Sequence, residues 1–158
     1  MRTAFAPLLL LFVAGLGSSQ SAPDVDRIEM RLSGWTGTDI ELNRQGERRF
    51  SISETNPRER SGTFSVTPEQ FDRLLDRLEP FRRQAVPFSE ESIRQFMNAE
   101  CPEGVPFVTD HGAIWIRWIG RGSDRHYLAD LGCDFERNAS RNAELQSVIY
   151  SLPIPLER

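Results

Sequence analysis

Apolar and polar residues alternate with a period of two in the first part of the chain, between Asp24 and Val66. The apolar positions fall in four short runs, at Ile28, Met30 and Leu32, at Ile40 and Leu42, at Phe50 and Ile52, and at Phe64 and Val66. Turn-forming residues separate the runs, including Asn43 to Gly46 and the pair Asn56-Pro57. Because alternation puts every second side chain on one face of a strand, this segment is predicted to form a four-stranded antiparallel meander.

The pattern changes to helical spacing after Val66. Apolar residues recur at intervals of three and four, at Phe71, Leu74, Leu75 and Leu78. Thr67 is suited to cap the helix, Pro68 to occupy its first position, and Gln70 to bond back to the cap. The helix is predicted to end near Glu79, because the ring of Pro80 opposes a continued helix.

Two more helices are predicted further along the chain. The first is short, begins with Ser89 as its cap and ends at Cys101; its apolar face comprises Ile93, Phe96 and Met97. The second runs from about Asn138 to Leu152, with apolar residues at Leu145, Val148, Ile149 and Leu152.

A strand from Gly112 to Ile119 is the clearest in the sequence. Its residues alternate between two faces, with Ile114, Ile116 and Trp118 on one and Ala113, Trp115, Arg117 and Ile119 on the other. The turn residues Gly120 to Ser123 lead back into a second strand, Arg125 to Leu131, so the two are predicted to form a hairpin. Apolar residues on both faces favour a central position in the sheet.

Together these elements predict one α+β domain over residues 23–158. The expected architecture is an antiparallel sheet of about six strands, built from the N-terminal meander and the C-terminal hairpin. Two longer helices and one short helix are expected to cover one face of that sheet. The chain has 158 residues, which is enough for one domain with a substantial core.

Residues 1–22 have the pattern of a secretory signal peptide. Arg2 supplies the positive start, Leu8 to Ala14 an apolar run too short to span a bilayer, and Ser18 to Ala22 a small-residue cleavage region. No second apolar stretch long enough for a membrane span follows. All 19 basic residues are arginine, which is typical of a GC-rich bacterial genome. A periplasmic or secreted protein that is not embedded in the membrane is therefore expected.

Export changes the interpretation of the two cysteines, Cys101 and Cys133. In an oxidising compartment a widely spaced pair is expected to form a structural disulfide rather than a redox-active site. The sequence therefore predicts one bridge between the end of the short helix and the segment after the hairpin.

Composition and motifs argue against several function classes. The formal net charge is −4 and no concentrated basic face is evident, so nucleic acid is not an expected partner. No Gly-rich phosphate loop precedes a helix and no Gly-x-Ser-x-Gly sequence occurs, so neither a cofactor nor a catalytic set is predicted. One alternative remains open at His111 and His126, which the hairpin could bring close enough for a metal site or an acid/base pair.

The segment Ser33-Gly34-Trp35-Thr36-Gly37 places a large aromatic ring between glycines. Such a tryptophan either packs over the end of the sheet or is exposed for contact with a partner. Aromatic rings are favoured anchors in protein interfaces. Gly34, Trp35, Thr36 and His111 are therefore the candidate interaction residues.

The leader, the Ser33 to Gly37 segment, Phe64-Ser65-Val66 before a helix, Cys101-Pro102 and Gly132-Cys133-Asp134 resemble small exported proteins of proteobacteria that form a domain of unknown function. The resemblance implies no activity and transfers no functional residue. The expected function is a binding or interaction module that contacts another protein of the cell envelope. The alternative is an inhibitor of an exported hydrolase, of lysozyme or protease type, that inserts the bridged loop from Pro102 to His111.

Overall fold

The computed structural model describes residues 25–34, 36–46, 48–54 and 60–155. The predicted signal peptide and Trp35 lie outside these residues. The strands are β1 (Val25–Leu32), β2 (Thr36–Asn43), β3 (Arg48–Glu54), β4 (Arg60–Thr63), β5 (Val86–Pro87), β6 (Ala113–Gly120) and β7 (Ser123–Asp130). The helices are α1 (Pro68–Arg82), α2 (Glu90–Glu100) and α3 (Ala139–Tyr150).

The strands form one antiparallel sheet in the order β4-β3-β2-β1-β6-β7-β5. The predicted α+β class, the N-terminal meander and the C-terminal hairpin are confirmed. The sheet has one strand more than the six expected. This strand is β5, which has only two residues, too few to show an alternating pattern. As its two apolar faces indicated, β6 is central, between β1 and β7.

Pairing registers align the apolar residues of neighbouring strands on one face. Ile28 of β1 lies opposite Leu42 of β2 and Trp118 of β6, and all three side chains are buried. Helices α1 and α3 pack against this face, with Phe71 and Leu145 fully buried in the same core. Burial of the apolar stripes of these two helices against the sheet is the main stabilising term of the fold.

Two predicted boundaries were wrong. Helix α1 does not end near Glu79 but continues through Pro80 to Arg82. Pro80 lies in the last turn, where the missing N–H removes only one helical hydrogen bond. The extra turn brings Phe81 into the core and pairs Arg82 with Glu79.

The fourth strand is also displaced from its prediction, since β4 ends at Thr63 and Phe64 to Val66 lie outside it. In β4, Gly62 lies opposite Phe50, whose ring occupies the space where a Cβ of residue 62 would come within 3.0 Å. Val66 is buried in the core just before α1 and therefore belongs to the connection rather than to the sheet.

The short helix α2 lies beside β7. The ring of Phe96 is 5.8 Å from that of His126 and 5.4 Å from that of Tyr127, whose side chains lie on opposite faces of the strand. The predicted disulfide between Cys101 and Cys133 is present, with the two Cα atoms 5.6 Å apart. It joins the end of α2 to the segment after β7, and such a bridge fits an oxidising, extracellular compartment.

Candidate binding cleft

A cleft of about 210 Å³ lies at the end of the sheet where β1 ends and β6 begins. It separates the loop that joins β1 to β2 from the loop that leads into β6. Its wall includes Ser33, Gly34 and Thr36 on one side and Asp110, His111 and Ala113 on the other, with Gln146 and Tyr150 of α3 beside them. Because β1 and β6 are neighbours in the sheet, loops distant in sequence are close here.

Backbone contacts hold the two walls together. The backbone N–H of Ser33 donates to the carbonyl oxygen of Ala113 at 2.9 Å, and the N–H of Ala113 donates to the Ser33 hydroxyl oxygen at 2.9 Å. Gly112 approaches so closely that a Cβ there would be 2.0 Å from the Ser33 carbonyl oxygen. The cleft is therefore a preformed feature of the fold rather than a gap between independent loops.

The backbone around the cleft includes conformations that ordinary residues rarely adopt. Gly34 and Gly112 have φ angles of 142° and 71°, and Asp110 has a φ of 65° despite its side chain. Non-glycine residues in the left-handed region are uncommon and are concentrated at functional sites. Asp110 shares a positive φ with Asp134 among the non-glycine residues of the described ranges, and aspartate is one of the few side chains that tolerate this conformation.

The chemistry of the cleft is mixed. Leu32, Ile52 and Ile114 supply apolar surface, while Asp110, His111 and Tyr150 supply a carboxylate, an imidazole and a phenol. The His111 ring lies 5.1 Å from the ring of Phe135, and its Nδ1 is 3.2 Å from the Thr109 carbonyl oxygen. Apolar surface with a few polar groups can both hold and orient a partner.

The structure brings together Gly34, Thr36 and His111, three of the four candidate interaction residues. Trp35, the fourth, lies outside the described residues. The sequence did not predict Gln146 or Tyr150 as site residues. The helical pattern of α3 identifies only its buried apolar positions, and both of these residues are exposed. The signal that could have found Tyr150 is a large aromatic residue off the apolar stripe.

His126 lies elsewhere and is fully buried on β7, opposite Arg117 of β6. His126 lies four residues along the hairpin from the end beside His111, a distance of about 14 Å at a rise of about 3.4 Å per residue. The structure therefore does not bring the two histidines together. Within the described ranges, no group of three or more His, Cys, Asp or Glu residues is arranged to hold a metal ion.

Both ring nitrogens of His126 have partners. The indole N–H of Trp115 donates to Nδ1 at 3.3 Å, so Nε2 carries the proton and donates to the Ser92 hydroxyl oxygen at 2.9 Å. Burial lowers the pKa of His126, and the positive charge of Arg117 lowers it further, against the opposing effect of Asp124. This histidine is a neutral structural link between β7 and α2.

No helix within the described part of the chain is long and apolar enough to cross a membrane. Comparison with protein-family models, with curated proteins and with solved structures finds no match to this chain.

Proposed function

We propose that this protein is an exported binding module of the bacterial cell envelope and that the cleft beside Gly34, Thr36 and His111 is its binding site. The partner is another protein of the envelope. The observation that carries the proposal is the convergence of these three residues, singled out from sequence, on one preformed cleft.

Three features support a binding role over a purely structural one. The cleft is braced by hydrogen bonds between Ser33 and Ala113, so little conformational entropy is lost when a partner binds. Asp110 in the wall of the cleft has a positive φ angle, a backbone conformation that few non-glycine residues adopt. Tyr150 remains partly exposed at its side, and tyrosine is enriched at interface hot spots.

Export and cleavage near residue 22 form part of the same proposal. The disulfide supports it, since such bridges persist in secreted and periplasmic proteins and are rare in reducing compartments. In this setting the bridge keeps the segment that leads to His111 attached to the end of β7.

Site-specific photo-crosslinking tests the proposal. A photoreactive amino acid placed at position 111 is expected to give one discrete protein adduct in cells that export the chain. The matched control places it at Arg121, an exposed residue of the β6–β7 turn at the opposite end of the sheet. Adducts at both positions, or at neither, would contradict a binding site at the cleft.

A substitution pair complements the crosslinking. Trp35→Ala is expected to weaken formation of the adduct from position 111, because its chain neighbours Gly34 and Thr36 line the cleft. The melting temperature of this variant is expected to stay nearly unchanged. A large fall in melting temperature with undiminished crosslinking would instead assign Trp35 to the core.

A further inference from the structure

Helix α2 is joined to the domain without contributing a fully buried side chain to it. Its Phe96 packs against the core but is only partly buried, whereas α1 and α3 each bury several residues. An isolated helix of 11 residues is marginal in water, so α2 depends on its contacts with the rest of the domain. Loss of those contacts is expected to unfold this helix while α1, α3 and most of the sheet stay folded.

The chain is tethered on both sides of α2. It enters from β5, which pairs with β7, and it leaves at Cys101, which is bonded to Cys133. Between these tethers, Glu100 in the last turn forms an ion pair with Arg141 of α3. The earlier turns are held by Ser92 and Phe96, and both of these side chains contact His126. The attachment of the first half of α2 therefore depends on one histidine.

The closed arrangement accepts His126 only in its neutral form. The ring is fully buried, and its Nδ1 accepts a hydrogen bond from the indole N–H of Trp115 at 3.3 Å. Its Nε2 donates to the Ser92 hydroxyl oxygen at 2.9 Å, and this bond tolerates a charged ring. A second proton would have to sit on Nδ1, where it would face the Trp115 N–H and remove that hydrogen bond.

The charges of β6 and β7 do not offset this cost. Arg117 of β6 opposes a positive charge on the ring, and Asp124 of β7 favours one. These two side chains form a salt bridge at 2.6 Å, so the carboxylate is already paired with a cation. Burial itself disfavours the charged ring most, which lowers the pKa of His126.

The side of the ring that faces α2 opposes a positive charge as well. Ser92 lies in the first turn of the helix, so His126 is beside the end at which the helix dipole is positive. Glu90 and Glu91 of this turn are exposed, and Glu91 is paired with Arg94. The two residues of β5 are Val86 and Pro87, which carry no charge.

We infer that α2 is an acid-released element: protonation of His126 destabilises the closed arrangement, and the helix detaches from β7 while β5 and the disulfide keep it tethered. Water has a route to the site, because a groove of about 590 Å³ between β5 and α2 extends to Ser92. Acid favours the detached state because the charged ring is hydrated there. The inference does not rest on the proposed cleft.

Amide hydrogen exchange at about pH 7.5 and about pH 5, corrected for the intrinsic rate at each pH, tests the inference. The amides of α2 are expected to be less protected than those of α1 at both pH values. Their protection is expected to fall by about tenfold at the lower pH, with a limit of about thirtyfold if the detached ring has the ordinary pKa of 6.5. Unchanged protection of α2, or equal protection of α2 and α1 at about pH 5, overturns the inference.

Substitution of the two histidines identifies the group responsible. His126→Gln is polar but does not titrate, and it is expected to remove most of the acid-dependent fall in α2 protection. His111→Gln is the matched control, because it removes the other histidine of the chain, which lies beyond the far end of the hairpin from Ser92. It is expected to keep the full response. Equal acid responses in the two variants contradict the assignment to His126.

A second variant covers the case in which His126→Gln does not fold. Trp115→Phe keeps an aromatic ring but lacks the N–H that opposes a proton on Nδ1. Protonation then costs less in the closed arrangement, so the fall in α2 protection is expected to be smaller than in the unchanged protein. A fall as large as that of the unchanged protein, or larger, counts against the proposed coupling.

Discussion

Gly112 and Gly122 have the same backbone conformation, with φ angles of 71° and 70°, but very different surroundings. A Cβ on Gly112 would meet the Ser33 carbonyl oxygen at 2.0 Å, whereas one on Gly122 would meet nothing within 4 Å. The pair therefore separates the effect of left-handed backbone strain from the effect of close packing between the two walls of the cleft.

Gly112→Ala is expected to lower the free energy of unfolding by about 2–4 kcal/mol, since strain and steric overlap add. Gly122→Ala is expected to cost about 1 kcal/mol from strain alone. Urea unfolding of both variants measures the difference. Equal losses would show that the walls of the cleft separate easily and that the site is not preformed.

His126 is the residue whose ionisation the fold opposes. Protonation at Nδ1 would set one N–H against the N–H of Trp115 and would place a charge near Arg117. Because the folded-state pKa lies below the ordinary value of 6.5, the unfolded chain binds more protons than the folded one over the interval between these two values. Stability is thus fully present above the unfolded pKa and falls as the pH drops through this interval.

The expected outcome is a smaller free energy of unfolding at about pH 5 than at about pH 7.5, with part of the loss due to this one group. In His126→Gln, which does not titrate, the pH dependence is expected to be shallower. Urea unfolding at both pH values, with an NMR titration of the His126 ring, checks the sign. An imidazole titrating above its ordinary value would refute the assignment of a neutral buried histidine.

At the scale of elements, α2 differs from the other two helices because none of its residues is fully buried. It is held at its N-terminal end by the Ser92–His126 hydrogen bond, in its middle by Phe96, and at its C-terminal end by the disulfide. Each of these contacts reaches β7 or the segment just after it, so the attachment of α2 depends on a few contacts.

Replacing Cys101 and Cys133 by serine is expected to lower the free energy of unfolding by about 3.5 to 4 kcal/mol, from the entropy of the 32-residue separation that the bridge closes. Hydrogen exchange is expected to speed up most in α2 and least in α1, which is anchored by Phe71 and Leu78 in the core. Uniform acceleration across both helices would show that α2 is not a separately held element.

The same elements show which features of a helix a local sequence pattern can predict. Thr67 and Gln70 form the reciprocal capping bonds that the sequence predicted for α1. Ser89 caps α2 as expected, with Ser92 completing the box. Start signals were reliable because caps act within four residues. The end of α1 was not, because burial of Phe81 outweighs the local cost of Pro80.

For the whole molecule, the proposed binding cleft lies at the end of the domain that carries the disulfide. His111 lines the cleft, and its ring lies 5.1 Å from that of Phe135. The disulfide and Gly132 fix the segment around Cys133, and Gly112 fixes the walls of the cleft. Arg121 marks the opposite end of the hairpin.

The sequence alone determined the α+β class, the meander, the C-terminal hairpin with its central first strand, the helix starts and the disulfide partners. These features follow from period-two and 3.6-residue patterns, from caps and from turns, which act over short stretches of chain. The disulfide follows from there being two cysteines in a chain whose first residues have the pattern of an export leader. The choice of Gly34, Thr36 and His111 as candidates also came from local chemistry.

Only the tertiary structure decided which candidates meet. It placed His111 beside Gly34 and Thr36 and buried His126 in a hydrogen-bonded network, although His111 directly precedes the hairpin and His126 lies within it. It also joined Gln146 and Tyr150 to the cleft and left Phe107 and Val108 in solvent. Such outcomes depend on pairing register and on which end of the sheet a loop reaches, and these are set by packing between segments far apart in the chain.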